Sequence, residues 1–293
     1  MDGRTPKLIF QANDRLGESP AWLAESRELV WLDLFGMVLH RISAGGGGHQ
    51  ATHLDGCAPA GAIVATQDPG KLIVSHRAGV FLYDRVSRHQ TSYVHPNASL
   101  PDLVYNDAKV DRHGRLWIAT SDQEERDPRG VLYAVENGRA RIADAGFAVC
   151  NGPAFSIDGR RAYVSDSVRG RVLAYELDGE GILRNRTDFL QFAEGEGVPD
   201  GLTVDAEDCL WVAHWGGACI SRFAPDGRML ERIALPAPNV TSLAFGGPDL
   251  ETLFVTTAFE GLSADERIAA PLAGGLFVVE PGVCGVPDRP FAP

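Results

Sequence analysis

The chain has 293 residues, of which 44% are hydrophobic and 23% are charged, and its formal net charge is −12 at pH 7. This acidic balance argues against a nucleic-acid-binding protein, because binding to phosphates requires clustered Lys and Arg side chains. No apolar stretch approaches the roughly 18 residues of a membrane span, and the N-terminus lacks a signal-peptide pattern. Five scattered Cys residues form neither a disulfide framework nor a zinc motif. We therefore expect a cytoplasmic protein with free thiols and no nucleic-acid or membrane partner.

Short β-rich runs recur along the chain at an almost constant spacing. In chain order they cover residues 29–33, 72–75, 116–119, 162–165, 210–213 and 253–256, and their first residues are 43 to 48 positions apart. A second β-rich run follows each of them after a Gly-containing or polar turn, and another short segment precedes it. Three strands and a weaker fourth in such a repeat match one blade of a β-propeller, whose period is about 40 to 50 residues.

Six repeats predict an all-β fold, a six-bladed β-propeller that residues 1–293 form as a single domain. Sandwiches and barrels also use short strands, but they do not produce six similar units at a sustained long period. The N-terminal run Lys7–Phe10 belongs to none of the repeats. We predict that it forms the outer strand of the last blade and closes the ring.

The predicted innermost strands carry oxygen donors at one equivalent position, four residues before a large apolar side chain. In the six repeats this position holds Glu18, Ala60, Asn106, Asn151, Asp200 and Thr241. Equivalent positions of a propeller surround the central channel at one height, so these donors would converge on the axis. Carboxylates that converge in a confined channel repel each other unless they share a proton or bind a cation. Oxygen donors favour calcium, magnesium or manganese, and zinc or iron(II) are alternatives.

Turn formation is a second explanation for two of these donors. Asn151 and Asp200 each precede a Gly, and Asn-Gly and Asp-Gly are strong turn signals. A turn does not explain why four donors share one register. The sequence therefore favours a site for one divalent metal ion.

Seven segments carry a further pattern: LGESPAW (16–22), NDAKVD (106–111), NGPAF (151–155), PDGLTVD (199–205), LWVA (210–213), PLAGGLF (271–277) and GVCGVP (282–287). In this order and at this spacing they resemble the senescence marker protein / gluconolactonase / regucalcin family of six-bladed propellers. Members of that family mostly hydrolyse lactones of sugar acids with calcium, zinc, manganese or iron(II), and some cleave organophosphates. The resemblance therefore implies a lactonase with a small-molecule lactone substrate.

The resemblance also implies roles for individual residues. Glu18, Asn151 and Asp200 match the three metal ligands of the family. Asn106 matches the Asn that lines the substrate pocket beside the metal, and Glu124 is the expected substrate-facing acid after the second strand of the third blade.

One position departs from the family pattern. Where the sugar lactonases usually carry an Arg two residues before the pocket Asn, this chain has Val104. A Val side chain cannot donate hydrogen bonds to substrate hydroxyls or to the lactone carbonyl. This difference favours a smaller or more apolar lactone over a hexonolactone. The neighbouring Tyr105 is expected either to offer its hydroxyl to the substrate or to pack at the channel mouth.

The expected chemistry is metal-assisted lactone hydrolysis, in which the ion is a Lewis acid and Asp200 is both a ligand and the general base. The sequence contains neither a GxSxG nor an HExxH motif for another hydrolytic mechanism. Two other functions stay open: a calcium- or ligand-binding propeller without turnover, and a metal-dependent esterase or organophosphatase. We expect a monomer or a weak homo-oligomer.

Overall fold

The β-rich runs form strands, because β-branched and aromatic side chains pack well on a pleated and half-buried surface. The computed structural model describes residues 4–293, and in this part of the chain 24 strands form six four-stranded sheets. All pairings within these sheets are antiparallel. In five sheets the strand that contacts the neighbouring sheets around the axis comes first in the chain; in the sixth, which also contains the N-terminal strand, it is Asn239–Gly246. Each sheet is one blade, so the predicted six-bladed β-propeller is confirmed.

The strands of the first three blades, numbered in chain order from the axis outwards, follow the N-terminal strand β1 (Lys7–Phe10). Blade 1 contains β2 (Gly17–Leu23), β3 (Glu28–Asp33), β4 (Val38–Ser43) and β5 (Gln50–His53). Blade 2 contains β6 (Ala60–Ala65), β7 (Lys71–His76), β8 (Gly79–Asp84) and β9 (Gln90–Val94). Blade 3 contains β10 (Leu103–Val110), β11 (Leu116–Asp122), β12 (Gly130–Glu136) and β13 (Arg139–Phe147).

The remaining blades follow the same order. Blade 4 contains β14 (Cys150–Phe155), β15 (Arg161–Asp166), β16 (Arg171–Leu177) and β17 (Leu183–Gln191), with a short 3-10 helix at Ser167–Arg169. Blade 5 contains β18 (Val198–Val204), β19 (Leu210–Trp215), β20 (Cys219–Phe223) and β21 (Met229–Ala234). Blade 6 contains β22 (Asn239–Gly246), β23 (Thr252–Ala258) and β24 (Leu276–Val279), and the helix α1 (Ala264–Ala269) lies between its last two strands in the chain.

The N-terminal strand completes blade 6. Strand β1 pairs with β24 through Lys7 and Val278 and through Leu8 and Phe277, so the sheet order is β1-β24-β23-β22. The predicted closure of the ring by this strand is confirmed. It pairs the outer side of β24, so that the N-terminal and C-terminal parts of the chain share one sheet.

The innermost strand of every blade contains a β-bulge near its start. Its pairing with the second strand skips a residue beside one position in each blade, namely Glu18, Ala60, Asn106, Asn151, Asp200 and Thr241. A bulge interrupts the alternation of side chains between the two faces of a sheet and re-aims the side chains beside it. The equivalent positions found in the sequence therefore coincide with an irregular segment of the inner strand in all six blades.

Hydrophobic side chains from neighbouring blades form the cores between the sheets. Two fully buried indoles show how a turn is tied to such a core: Trp117 donates its Nε1–H to Asp111 at 2.9 Å, and Trp211 donates to Asp205 at 2.8 Å. Both Asp residues also accept backbone N–H groups of the turn that joins the first two strands of their blade. These bonds satisfy buried polar groups and fix the spacing of the inner strands.

The C-terminal segment crosses the end of the channel at which the inner strands finish. Ala206 in blade 5 donates its N–H to the Cys284 carbonyl, and Phe291 donates its N–H to the Ala65 carbonyl in blade 2, both at 2.8 Å. Between these points, Asp288 lines small cavities that reach the inner strands of all six blades. We call residues 284–291 the C-terminal segment; it covers the axis opposite the starts of the inner strands.

Helix α1 begins with a capping box, in which Ser263 accepts the N–H of Glu266 and the Glu266 side chain accepts the N–H of Ser263. It lies on the same end of the propeller as the starts of the inner strands, because the β23–β24 connection is at that end. Within residues 4–293, no helix is long and apolar enough to cross a membrane.

Candidate metal and substrate site

The three predicted metal ligands lie near the starts of inner strands, at the end of the channel that the C-terminal segment does not cover. Glu18 is in β2, Asn151 is in β14 and Asp200 is in β18. Their exposed fractions are 6%, 5% and 7%, so each polar side chain is almost completely removed from bulk water. Burial of an ionised carboxylate is unfavourable unless a cation or several hydrogen bonds offset it.

The carboxylates of the predicted ligands Glu18 and Asp200 interact electrostatically. Burial raises the pKa of Asp200 well above its usual range, and the charge of Glu18 raises it further. Burial likewise raises the pKa of Glu18, and the charge of Asp107 adds to this effect. The N–H of Ser19 donates to Glu18 Oε2 at 2.5 Å and offsets part of the increase. The structure therefore brings Glu18 and Asp200 close enough for their like charges to repel.

Asp107 is a third carboxylate of this cluster, and the sequence analysis missed it. It is 5% exposed, and burial raises its pKa to about 6, while the nearby charge of Lys109 opposes that increase. Strict alternation in β10 would send Asp107 to the face opposite Asn106. The bulge interrupts this alternation, because neither Asn106 nor Asp107 is paired with the second strand of the blade. The signal available in the sequence was the carboxylate of Asp107 directly after Asn106, the oxygen donor at the equivalent position of blade 3.

The two predicted Asn residues are in direct contact. Asn106 donates through Nδ2 to Asn151 Oδ1 at 2.5 Å and to the Cys150 carbonyl at 2.9 Å. Asn151 donates through its own Nδ2 to Ser167 Oγ at 3.0 Å. Because the amide nitrogen is committed to Ser167, the amide oxygen of Asn151 is the atom that faces Asn106, and it keeps a second lone pair for another partner.

Glu124 lies outside this cluster. It is exposed and pairs with Arg126 at 2.7 Å. The fully buried Asp122 organises the loop by accepting the N–H groups of Arg126 and Asp127, and the loop turns at Glu125, whose φ is +56°. The charge of Glu125, and not that of Glu124, contributes to the raised pKa of Asp200. The role predicted for Glu124 stays a prediction, and its position in the structure does not support it.

Tyr105 does not offer its hydroxyl to the channel. The side chain is 2% exposed and packs in the core between blades 2 and 3, where its hydroxyl lies 2.9 Å from His95 Nδ1. Burial raises the pKa of this phenol well above its usual range. Of the two roles considered for Tyr105, this position agrees with packing; the partly exposed Val104 beside it contributes an apolar surface.

The donor set is compatible with a hard divalent cation. Within residues 4–293, no group of three or more His, Cys, Asp or Glu side chains is arranged to hold a metal ion by itself. The predicted set differs from such a group because one of its three members is the amide Asn151. Two carboxylates and an amide oxygen are donors that calcium, magnesium and manganese accept. A cation among them would offset the repulsion between Glu18 and Asp200, which the protein itself offsets only in part through Lys109.

Curated relatives extend over nearly the whole chain. The chain is 33% identical over 300 residues to a 6-deoxy-6-sulfogluconolactonase of Pseudomonas putida, an alignment that covers 98% of this chain and 99% of that protein. It is 32% identical over 292 residues to a pentonolactonase of Haloferax volcanii, with 97% of each chain covered.

Solved structures and a family model agree with these relatives. A regucalcin from Agrobacterium tumefaciens, described as a calcium-binding protein, superposes with a TM-score of 0.93 at 27% identity and covers 98% of this chain and 97% of its own. Residues 16–259 match the model of the SMP-30/Gluconolactonase/LRE-like region. This protein therefore belongs to the SMP-30/gluconolactonase/LRE-like family.

Proposed function

We propose that this protein is a metal-dependent lactonase that opens the ring of a sugar-acid lactone or a related small lactone. The observation that carries the proposal is the buried pair of like-charged carboxylates, Glu18 and Asp200, at the uncovered end of the channel. Membership of the family and relatives that are themselves named lactonases support the choice of reaction.

One divalent ion would be held by the side-chain oxygens of Glu18, Asn151 and Asp200. When bound, such an ion supplies Lewis-acid polarisation of a carbonyl and stabilises negative charge that develops on its oxygen. The similarity to a regucalcin described as calcium-binding supports a divalent ion in general. Calcium, zinc, manganese, magnesium and iron(II) all remain candidates, and the donor chemistry favours the ions that prefer oxygen.

Asp200 is the proposed general base. Water adds to the lactone carbonyl carbon, the ring C–O bond breaks, and the proton that Asp200 removes from the water is returned to the leaving alkoxide oxygen. The result is a hydroxy acid. Asp200 is chosen because a carboxylate that is also a proposed ligand would lie within reach of a water at the ion.

Neighbouring residues shape the pocket in this proposal. Asn106 lies beside the ligand Asn151 and holds its amide oxygen, so it lines the substrate side of the site. Val104 replaces a hydrogen-bond donor with an apolar surface, which favours small or less hydroxylated lactones on that side. Glu125 is the loop acid whose charge reaches Asp200.

A pH-stat assay of metal-stripped protein tests the proposal. The protein is presented with sugar and aliphatic lactones while calcium, magnesium, manganese, zinc and iron(II) are added back separately. We expect at least one pair of ion and lactone to give turnover. If no lactone opens faster than it hydrolyses spontaneously with any ion, the enzyme proposal fails.

The variant Asp200→Asn tests the assigned base. We expect it to lose about 10²-fold or more in kcat, because a general base contributes about that much, while binding of the ion is weakened less severely. Asp249→Asn, the same change in an exposed turn at the opposite end of blade 6, is the matched control and should keep full activity. Full lactonase activity in Asp200→Asn would show that another group is the base.

A calcium-binding propeller without turnover is the second candidate function. The similarity to the Agrobacterium tumefaciens regucalcin, described as a calcium-binding protein, favours it specifically. Tight calcium binding together with no hydrolysis of any lactone would support this function. Faster hydrolysis of simple esters or organophosphates than of lactones would instead indicate a different hydrolase that uses the same ion.

A further inference from the structure

Two successive side chains of blade 3 hold three successive residues of blade 4. Asn106 donates to the Cys150 carbonyl at 2.9 Å and to Asn151 Oδ1 at 2.5 Å. The next side chain, Asp107, accepts the backbone N–H of Gly152 through Oδ2 at 3.1 Å. The segment that carries the predicted ligand Asn151 is therefore held on both sides by the neighbouring blade.

The orientation of the Asp107 carboxylate is fixed at both oxygens. While Oδ2 accepts from Gly152, Oδ1 accepts the N–H of Ala108 at 3.0 Å. The bulge in β10 leaves Asn106 and Asp107 unpaired with the second strand and lets both side chains reach blade 4. A carboxylate that is 5% exposed and bonded at both oxygens has little freedom to move, so it acts as a rigid brace between two blades.

The backbone at Gly152 needs such a brace. Its φ is +79°, in the left-handed region, and an added Cβ would lie 3.0 Å from Leu202 Cδ1. This conformation belongs to the bulge that follows Asn151, and it points the buried Gly152 N–H away from β15 towards Asp107. Without an acceptor, that N–H would be buried and unsatisfied, which is unfavourable enough to displace the local backbone.

We propose that Asp107 is a positioning residue for the ligand Asn151. Through Gly152 it sets the direction in which Asn151 leaves the strand, while Ser167 sets the rotation of the Asn151 amide. Asp107 is not assigned as a ligand. The inference rests on the proposed metal site, and it concerns the affinity and the coordination geometry of a divalent cation.

Two variants separate the brace from the charge of Asp107. Asp107→Asn and Asp107→Ala both remove the negative charge. The amide of Asn keeps one oxygen, enough for the Gly152 N–H but not also for the Ala108 N–H, whereas Ala keeps no acceptor. Manganese(II) is the probe, and its binding is measured by calorimetry and by the EPR spectrum of the bound ion. Far-UV circular dichroism checks the fold of each variant. If Asp107→Ala does not fold, Asp107→Ser replaces it, since a Ser side chain is one bond shorter and does not reach Gly152.

We expect the Kd of Asp107→Ala for manganese to be about 10- to 100-fold higher than that of Asp107→Asn, as for other residues that orient a metal ligand. The EPR spectrum should change in Asp107→Ala and stay as in the wild type in Asp107→Asn. Equal Kd values and equal spectra for the two variants would show that Asp107 acts only through its charge, and the inference would fail. If the wild type itself bound no manganese or calcium, the proposed metal site would be refuted, and the inference that depends on it would be refuted as well.

Discussion

Replacement of Asp107 by Asn is expected to change the stability of the metal-free protein more favourably at pH 8 than at pH 4. Burial raises the pKa of this carboxyl from 3.8 to about 6. A carboxyl whose pKa is higher in the folded state than in the unfolded state destabilises the folded protein as the pH rises. The loss of stability develops between the unfolded-state pKa and the folded-state pKa. An increase of this size corresponds to about 3 kcal/mol, which is reached in full above about pH 7. At pH 4 only a small part of this loss is present.

Urea unfolding followed by tryptophan fluorescence, in the presence of a chelator, measures this difference. The amide of the Asp107→Asn variant keeps an oxygen for the Gly152 N–H but not a second one for the Ala108 N–H. The loss of that acceptor is the same at every pH, so the difference between two pH values isolates the charge. We expect the free energy of unfolding of the variant, relative to the wild type, to be about 2 to 3 kcal/mol higher at pH 8 than at pH 4. The same pH dependence in both proteins would refute the argument, because it would mean that Asp107 has an ordinary pKa in the folded state.

Two further predictions concern the entrance and the covered end of the channel. The variant Glu125→Gln loses a charge that repels Asp200, so the pKa of Asp200 should fall. The acidic limb of the pH profile of kcat/KM should then move to lower pH. The control Glu124→Gln should leave this profile unchanged. Phe291→Ala should lower the free energy of unfolding by about 3 to 5 kcal/mol, since this side chain is 2% exposed in the core between blades 2 and 3. Val86→Ala, at a side chain that is 89% exposed, is its control and should change stability by less than about 0.5 kcal/mol.

The fold could be predicted from the sequence because the blade is a local unit that recurs. Each repeat contains its own hairpins, so the period reveals the number of blades without any knowledge of their packing. The closure of the ring followed from one leftover strand, Lys7–Phe10, and from the need to cover a sheet edge. The crossing of the channel by the C-terminal segment was not predictable in this way, because it depends on contacts between Phe291 and Ala65, which are far apart in the chain.

Only the part of the candidate site that lies at equivalent positions of the repeats could be predicted. Register placed the oxygen donors Glu18, Asn106, Asn151 and Asp200 at one position of the inner strands, and the family resemblance selected three of them as ligands. Asp107 lies outside that register, because the bulge directs two neighbouring side chains of β10 to blade 4. A bulge has no reliable signature in a single sequence, so the irregularity that builds this cluster was invisible before the structure.

Loop conformation limited the prediction in a second place. Whether Glu124 or Glu125 turns towards the axis depends on the buried Asp122, which accepts backbone N–H groups further along the same loop. The left-handed conformation at Glu125 then separates the two acids. Neither feature could be predicted from the amino-acid sequence of the loop, since Glu residues do not favour the left-handed conformation.

The C-terminal segment has a kinetic consequence for a lactonase. It covers the channel where the inner strands finish. In the proposed lactonase, a substrate would therefore approach Glu18 and Asp200 from the end where these strands begin. The ring-opened hydroxy acid has to leave by the same route, and it therefore competes directly with the next substrate molecule. Substrate entry and product release would therefore share one end of the channel, and inhibition by the product would be competitive.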